Sequence, residues 1–374
     1  MPWYEETVMS QRREFIGLAG VSMKISVACR GFGISRKTGY KWLDRYEAGG
    51  EEGLKDRSRR PLVSPNKTPE EIEQLVLDAR LAHPAWGGRK LKRWLEDKGI
   101  ERLPAPSTIT EILRRQGRID PGESRKREPL RRFESPAPND MWQMDFKGWF
   151  DIGTQACHPL TALDDHSRFS VVLRACEGMG RSLVKRHLET AFQAYGLPKA
   201  MLVDNGAPWS SGTMGEWTKL SVWLLRLGVA VIHSRVRHPQ TLGKDERFHR
   251  TLSQEGLTGR QYVTFSEAQF CFDSWRDVYN FERPHESLGI KPPASRYAIS
   301  SRPFPAKLPP IEYERDAQVR KVNENGIIAF NGKFLWVGKA FCGYPVALRP
   351  SQRDGEMQIF FCSHAVKKID LRSL

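Results

Sequence analysis

Three carboxylates, Asp145, Asp204 and Glu246, stand at the ends of elements that the chain must bury, and this limits how its middle third can fold. Asp145 lies in Met141-Trp142-Gln143-Met144-Asp145-Phe146, an aromatic and apolar run that reads as a buried strand. Asp204 ends a second such run, Ala200-Met201-Leu202-Val203-Asp204, which Asn205-Gly206 stop at once. Glu246 sits in Gly243-Lys244-Asp245-Glu246-Arg247-Phe248-His249-Arg250-Thr251-Leu252, which reads as a helix. Taken singly, an Asp at a strand end caps a turn and a Glu in a basic helix makes i,i+4 pairs. Together, three such acids can hold hard divalent cations through oxygen. Two cations about 3.5–4 Å apart can clamp the attacking and leaving oxygens of a phosphodiester displacement.

Residues 139–300 alternate strand and helix. The expected strands are Met141–Phe150, His158–Asp165, Ser170–Arg174, Ala200–Val203 and Val229–His233, the first three close together as a meander. Helices are expected near Ser182–Tyr195, Gly212–Leu227, Gln240–Leu257 and Ser266–Phe281. Asp165, in the Asp164-Asp165-His166-Ser167 turn, reads as hydrogen-bonded to its own backbone, with a fourth metal ligand as the alternative. His233, His238 and His249 read as contacts to DNA or to the scissile phosphate, because oxygen-ligated Mg²⁺ does not need them.

Lys and Arg outnumber Asp and Glu by 59 to 44, a net charge of +15, which favours a polyanionic partner such as nucleic acid over a merely solvated basic surface. Residues 1–60 read as helix, glycine turn, helix. Ile25-Ser26-Val27-Ala28-Cys29-Arg30 is a short helix, and Ser35 caps a second one from Arg36 to Tyr46. Its Arg36, Lys37, Thr38, Tyr40, Lys41 and Arg45 are types that contact phosphates and base edges. The alternative is a small helical bundle with no DNA role. Arg57, Arg59 and Arg60 follow in a basic linker suited to the DNA backbone.

Residues 61–118 form a second helical unit. Thr68 is the expected N-cap of a helix with Pro69 first, and Ser107 the expected cap of a recognition helix. Trp86 and Trp94 read as core rather than base-stacking residues. Residues 119–138, rich in Arg, Pro, Ser and Glu, read as a linker. Residues 311–374 carry short strands broken by Asn-Gly, Asp-Gly and Gly turns, and read as a small β-barrel. Its strands are expected at Gln318–Val322, Ile327–Phe330, Lys333–Val337, Val346–Leu348 and Met357–Cys362.

The six cysteines are scattered singly without ligand spacing, so free thiols are expected and a structural zinc site is not. The acidic opening Met1-Pro2-Trp3-Tyr4-Glu5-Glu6 is unlike a signal peptide, and no run is long enough to span a membrane. A cytoplasmic protein without a membrane partner is expected.

Four segments carry a resemblance. Trp142-Gln143-Met144-Asp145-Phe146-Lys147-Gly148 and Asp204-Asn205-Gly206-Ala207-Pro208 are two of them. The third runs from His238-Pro239-Gln240-Thr241 through Glu246 to Leu252, and the fourth is Tyr279-Asn280-Phe281-Glu282-Arg283-Pro284-His285-Glu286-Ser287-Leu288. In this order they resemble the motifs of bacterial insertion-sequence transposases of the retroviral-integrase superfamily, which have an Asp-Asp-Glu site. The resemblance implies a multidomain protein. All-α helix-turn-helix modules (1–60 and 61–118) would precede an α/β ribonuclease H-like core (139–300) and a C-terminal barrel (311–374) like that of integrases. There Arg320, Lys321, Lys333, Arg349, Lys367 and Lys368 would grip DNA, although a structural or dimer-forming barrel is the alternative.

For the site, the resemblance implies catalysis by Asp145, Asp204 and Glu246 with two Mg²⁺ (or Mn²⁺) ions. Asp145 would bridge the ions while Asp204 and Glu246 hold one each. Water would free a 3′-hydroxyl at a transposon end, and that hydroxyl would attack target DNA. Lys244, Arg247, His249 and Arg250 would hold DNA beside the acids, with helix solvation and pairing to Asp245 as their plainer roles. The partners implied are double-stranded DNA and further protomers assembled on it. This sequence departs from the family pattern in two ways. Its Asp204–Glu246 interval is long, and Ser253 stands where many relatives carry a basic residue two turns after the Glu, a role Arg250 could take. Competing classes are a regulator that has lost catalysis, a nuclease that cuts without joining, and a DNA-organising protein.

Overall fold

A computed structural model describes residues 7–21, 24–57, 67–119, 134–210, 217–234, 243–351, 353 and 355–372. It divides into two compact units, Met1–Lys67 and Thr68–Leu374.

In the first unit, helices α1 (Val8–Val21), α2 (Ile25–Gly31) and α3 (Arg36–Gly53) close on Phe15, Ile16, Ala28, Cys29, Trp42 and Leu54. Ser35 caps α3 as expected, its hydroxyl accepting from Thr38 N at 3.1 Å. The α2–α3 approach needs Gly39, where a Cβ would lie 2.5 Å from Cys29 Sγ. Helix α3 kinks at Gly50, whose φ is 55°.

In the second unit, α4 (Glu70–Ala82), α5 (Gly88–Asp97) and α6 (Pro106–Arg115) pack around Val76, Trp86, Leu91, Leu95 and Ile109, so Trp86 is a core residue as expected. Both expected caps shift by a residue or two. Pro69 is the N-cap of α4, and Ala105 precedes Pro106 in α6, with no side-chain cap at either. Proline at the first position fixes φ and needs no donor, so it opens α6 without help from Ser107.

A six-stranded sheet follows, from β1 (Met141–Phe146), β2 (Phe150–Ile152), β3 (Gln155–Asp164), β4 (Ser170–Cys176), β5 (Ala200–Val203) and β6 (Ala230–His233). Its order is β2-β3-β1-β5-β6, with β4 paired to β3. The meander pairs antiparallel, and β5 and β6 then add in parallel beside β1. Helices α7 (Arg181–Tyr195) and α8 (Lys219–Arg226) cover the face to which β1 sends Trp142 and Met144. The other face takes α9 (Gly243–Leu252) and α10 (Phe265–Asp277), around Leu163, Leu173, Phe248, Leu252, Phe272 and Tyr279. Strand alternation therefore puts Gln143 and Asp145 under α9.

The Tyr279–His285 motif braces this second face. Asn280 exchanges two hydrogen bonds with the Ser170 backbone, accepting from N at 2.8 Å and donating to O at 3.1 Å. Arg283 forks onto the Glu255 carboxylate at 2.8–3.0 Å, both side chains nearly buried. Trp94 of α5 donates to Glu282 at 3.0 Å and Val278 packs into the helical core, so the second helical unit rests on this brace.

The C-terminal segment pairs as a four-stranded antiparallel sheet and a separate hairpin. Strands β7 (Gln318–Lys321), β10 (Pro345–Pro350), β11 (Glu356–Phe361) and β12 (His364–Asp370) form the sheet, and β8 (Ile327–Phe330) and β9 (Lys333–Trp336) the hairpin. The described pairings do not close into a barrel, because β8 and β9 pair only with each other. Both sheets share a core with Val222 and Leu225 of α8. Strand β12 was not expected, because His364-Ala365-Val366-Lys367-Lys368-Ile369-Asp370 is mostly polar and lies at the sheet edge.

Breaking a buried ion pair strands its partner's charge, so Arg283→Met should destabilise the protein by about 3–5 kcal/mol, measured by urea unfolding. A loss below about 1 kcal/mol would mean the pair is no brace.

Candidate active site

Asp145 lies on β1, and Asp204 follows directly on the neighbouring parallel strand β5. Gln143 of β1 is level with Leu202 of β5, and each acid comes two residues later in the chain. Asp204 is fixed by the turn that follows it. His233 Nδ1 bonds its carbonyl at 3.1 Å, and Asn205 donates to Ser234 O at 2.7 Å. Gly206 is the residue that turn requires, since a Cβ there would stand 2.8 Å from Asp204 Oδ2. The Asp204 Oδ1 oxygen is buried and has no hydrogen-bond partner among the described residues. Burial raises the Asp204 pKa, opposed by the Gly206 N–H and by His233.

Asp145 is half-buried, and one oxygen accepts from the Phe146 N–H at 2.8 Å. Its pKa is pushed up to about 6, first by burial, then by the Asp204 carboxylate, and to a lesser degree by Glu246. Asp145 thus lies within electrostatic reach of the other two acids named from the sequence. Glu246 lies exposed on the first turn of α9. Among the described residues, no three His, Cys, Asp or Glu side chains are close enough to cage an ion.

Helix α9 is tied to the sheet on both sides of Glu246. His249 Nε2 and the Thr161 hydroxyl bond at 2.8 Å, and that hydroxyl donates to the Asp145 carbonyl at 2.9 Å. Burial and Lys147 lower the His249 pKa to about 4, so it is neutral at pH 7 and adds no positive charge. Lys244, expected on DNA, is half-buried and ion-paired with Asp165. Arg247 and Arg250 are exposed on the same helix.

The Asp164-Asp165 pair divides its work in a way the sequence did not reveal. Asp164 makes the turn, accepting from Ser167 N at 2.8 Å, Ser167 Oγ at 2.6 Å and Asn139 N at 2.7 Å. Asp165 reaches elsewhere, to Ser135 N and Gln143 Nε2, both at 2.6 Å, as well as to Lys244.

Asp245, named from the sequence only as a pairing partner for the basic side chains of this helix, is 0 % exposed with neither oxygen hydrogen-bonded among the described residues. Burial, then Asp145 and Asp165, hold its carboxyl well above the usual range, against the pull of Lys244. A fully buried acid next to Glu246 has no sequence signature beyond its place on the apolar side of the helix.

Among the DNA-contact candidates of α3, Arg36, Lys37, Tyr40 and Lys41 are exposed. Thr38 belongs to the cap, its hydroxyl 2.9 Å from Ser35 Oγ. Arg45 is half-buried, with its guanidinium 5.1 Å from the Trp42 ring. Arg57 is exposed, while Arg59, Arg60 and His238 fall outside the described residues.

The acids make a checkable electrostatic statement. A carboxyl whose folded pKa lies above its unfolded value costs stability once pH exceeds the folded pKa, and that cost fades as pH falls toward the unfolded value. Asp145→Asn keeps the Phe146 hydrogen bond and removes the charge. In chelator it should raise stability at pH 7.5 on the order of 1–2 kcal/mol, allowing for screening by water. The gain should shrink toward pH 4.5 in thermal unfolding; an equal gain at both pH values would contradict a raised Asp145 pKa.

The chain matches the models of five domain families. A helix-turn-helix domain covers residues 11–61 and a homeodomain-like domain residues 38–113. The integrase core domain matches over 135–239, and a second integrase core model over 227–293. The IS481 family transposase C-terminal domain matches over 317–374. Among similar proteins is a 39.2 kDa protein of insertion element IS476 from Xanthomonas euvesicatoria, 27% identical over 249 residues, covering 65% of this chain and 69% of that one. Another is a 31.7 kDa protein of insertion element IS407 from Burkholderia multivorans, 27% identical over 242 residues, covering 62% and 83%. The solved HTLV-2 integrase catalytic core domain in complex with magnesium aligns over 44% of this chain and 100% of that one, with 13% identity and a TM-score of 0.34. With transposase and integrase-core domains in this order, and insertion-element proteins as its relatives, the chain belongs to the insertion-sequence transposases of the integrase superfamily.

Proposed function

We propose that this protein cuts DNA at the ends of its own element and joins the freed 3′-hydroxyl to target DNA, with Asp145, Asp204 and Glu246 as the catalytic acids. The observation that carries this reading is the placement of the three acids on neighbouring elements: Asp145 on β1, Asp204 just past the parallel neighbour β5, and Glu246 on the helix over that face, with Asp145 within electrostatic reach of both others. On this reading residues 1–60 and 61–118 read the element ends, 139–300 carries the chemistry and 311–374 supports DNA.

The donor set fits a hard divalent cation. All three ligands are carboxylates, and the buried Asp204 Oδ1 lacks a protein donor among the described residues. Asp145, Asp204 and Glu246 would hold two Mg²⁺ or Mn²⁺ ions, which when bound supply Lewis-acid stabilisation and a more acidic water. The remaining work falls to the chain. Arg247 and Arg250 offer positive charge on the exposed side of the glutamate helix, where a phosphodiester gains negative charge in the transition state. Neutral His249 holds Thr161, and through it the Asp145 backbone, in place. The exposed Arg36, Lys37, Tyr40 and Lys41 face of α3 suits a major groove. Joining two ends calls for at least two protomers assembled on double-stranded DNA. No helix of the described residues is long and apolar enough to cross a membrane.

Strand transfer on DNA carrying the element ends tests the reading. Wild type with Mg²⁺ should give joined product. Glu246→Gln should give none while retaining DNA binding. Nicking without joining would indicate a nuclease, and binding without either reaction in Mg²⁺ and Mn²⁺ would indicate a regulator. Divalent cation should also raise the melting temperature, more at pH 7.5 than at pH 5, because protons compete for Asp145 below about 6. An equal rise at both pH values would place the ion elsewhere.

A further inference from the structure

We infer that Asp165 and Lys244 are positioning residues that set the spacing between the Asp145 strand and the Glu246 helix. This rests on the reading of those acids as the metal-holding pair.

Asp165 is 1 % exposed and follows directly on β3. Its turn does not need it, because Asp164 already makes the turn bonds. Instead its carboxylate joins three separate pieces of chain. One oxygen takes Ser135 N at 2.6 Å, ahead of β1. The other takes Gln143 Nε2 at 2.6 Å, together with Lys244 Nζ. Lys244 Nζ also reaches the Asp165 carbonyl at 3.3 Å.

The spacing along each element is what gives this junction its meaning. Gln143 precedes Asp145 by two residues on β1, so both point to the same face. Lys244 precedes Glu246 by two residues in the first turn of α9. One carboxylate oxygen therefore grips both catalytic elements, each two residues from its acid. The His249–Thr161–Asp145 chain makes the second tie, beyond Glu246. Two ties bracketing Glu246 fix both the height and the rotation of the helix over β1.

Lys244 is also the residue through which the first turn of α9 meets the buried Asp165 carboxylate, so its removal leaves Asp165 without its ammonium partner and the helix without its ion pair to the sheet. Groups that orient metal-holding side chains without touching the ion typically cost about 10–100-fold in metal affinity or activity when removed.

The test uses the full-length protein with Lys244→Met, Lys244→Arg and Asp165→Asn, and Glu246→Gln as control. Mn²⁺ alone is titrated calorimetrically into DNA-free protein, and end cleavage is resolved into kcat and KM. Lys244→Met should weaken Mn²⁺ binding and lower kcat, each by about 10–100-fold, with KM for DNA within about twofold. Asp165→Asn should do the same, and Lys244→Arg should recover most of the loss. Unchanged Mn²⁺ affinity and kcat in Lys244→Met would overturn the inference. So would a raised KM at unchanged kcat, which would make Lys244 a DNA contact. Should Lys244→Met or Asp165→Asn fail to fold, Gln143→Leu cuts the other arm of the junction and must show the same two losses. If Glu246→Gln binds Mn²⁺ as wild type does, the metal reading itself fails, and that result is separate from any Lys244 effect.

Discussion

A carboxylate inside a protein must find donors or a cation, or it holds its proton. In this chain that constraint sorts the acids around the central sheet into two groups. Asp164 and Asp165 are buried and satisfied by backbone N–H groups, a hydroxyl, an amide and a lysine. Asp145, Asp204 and Asp245 are buried or half-buried with fewer donors, a backbone N–H for each of the first two and none for Asp245 among the described residues; burial raises their pKa values, as it raises that of Asp164. The satisfied acids stitch strands and helix together; the others lie where the stitching brings them. Repulsion among the second group is tolerable because the first group holds the frame.

The same division of labour extends outward. The Tyr279–His285 motif, adjacent in sequence to nothing catalytic, is a brace. Asn280 occupies the backbone of Ser170, Arg283 neutralises Glu255, and Glu282 receives Trp94 from the second helical unit. Helix α8 plays the corresponding part for the C-terminal sheets, lending Val222 and Leu225 to their core while its other side packs against the central sheet. Polar side chains fix the register of the pieces, and apolar faces supply the burial that keeps them together.

Local signals in the sequence were followed closely by the structure. The Ser35 cap, the Met141 and Ala200 strands, the Ser170 strand and the helix around Glu246 depend on periodicity and turn residues within a few positions, so they were legible. Features that depend on distant partners were not. Strand β12 is too polar to announce itself and exists because β11 offers an edge. Among the described residues, the pairing of β8 with β9 alone is decided by neighbours and not by strand propensity. Lys244 looked like one more basic residue on a basic helix. Only the position of Asp165, 79 residues earlier, turns it into a buried ion pair.

The sequence by itself determined most of the helices and strands around the three acids, because hydrophobic period, caps and breakers act over a single turn or strand. It also carried the order of motifs that marks the integrase superfamily. Tertiary structure alone decided that Asp145 and Asp204 come two residues after a paired position of parallel strands, that Asp245 is sealed beside Glu246, and that burial lowers the His249 pKa. Each of these follows from burial and from Coulomb interactions between residues far apart in the chain, and neither exists until the sheet and the helix over it have closed.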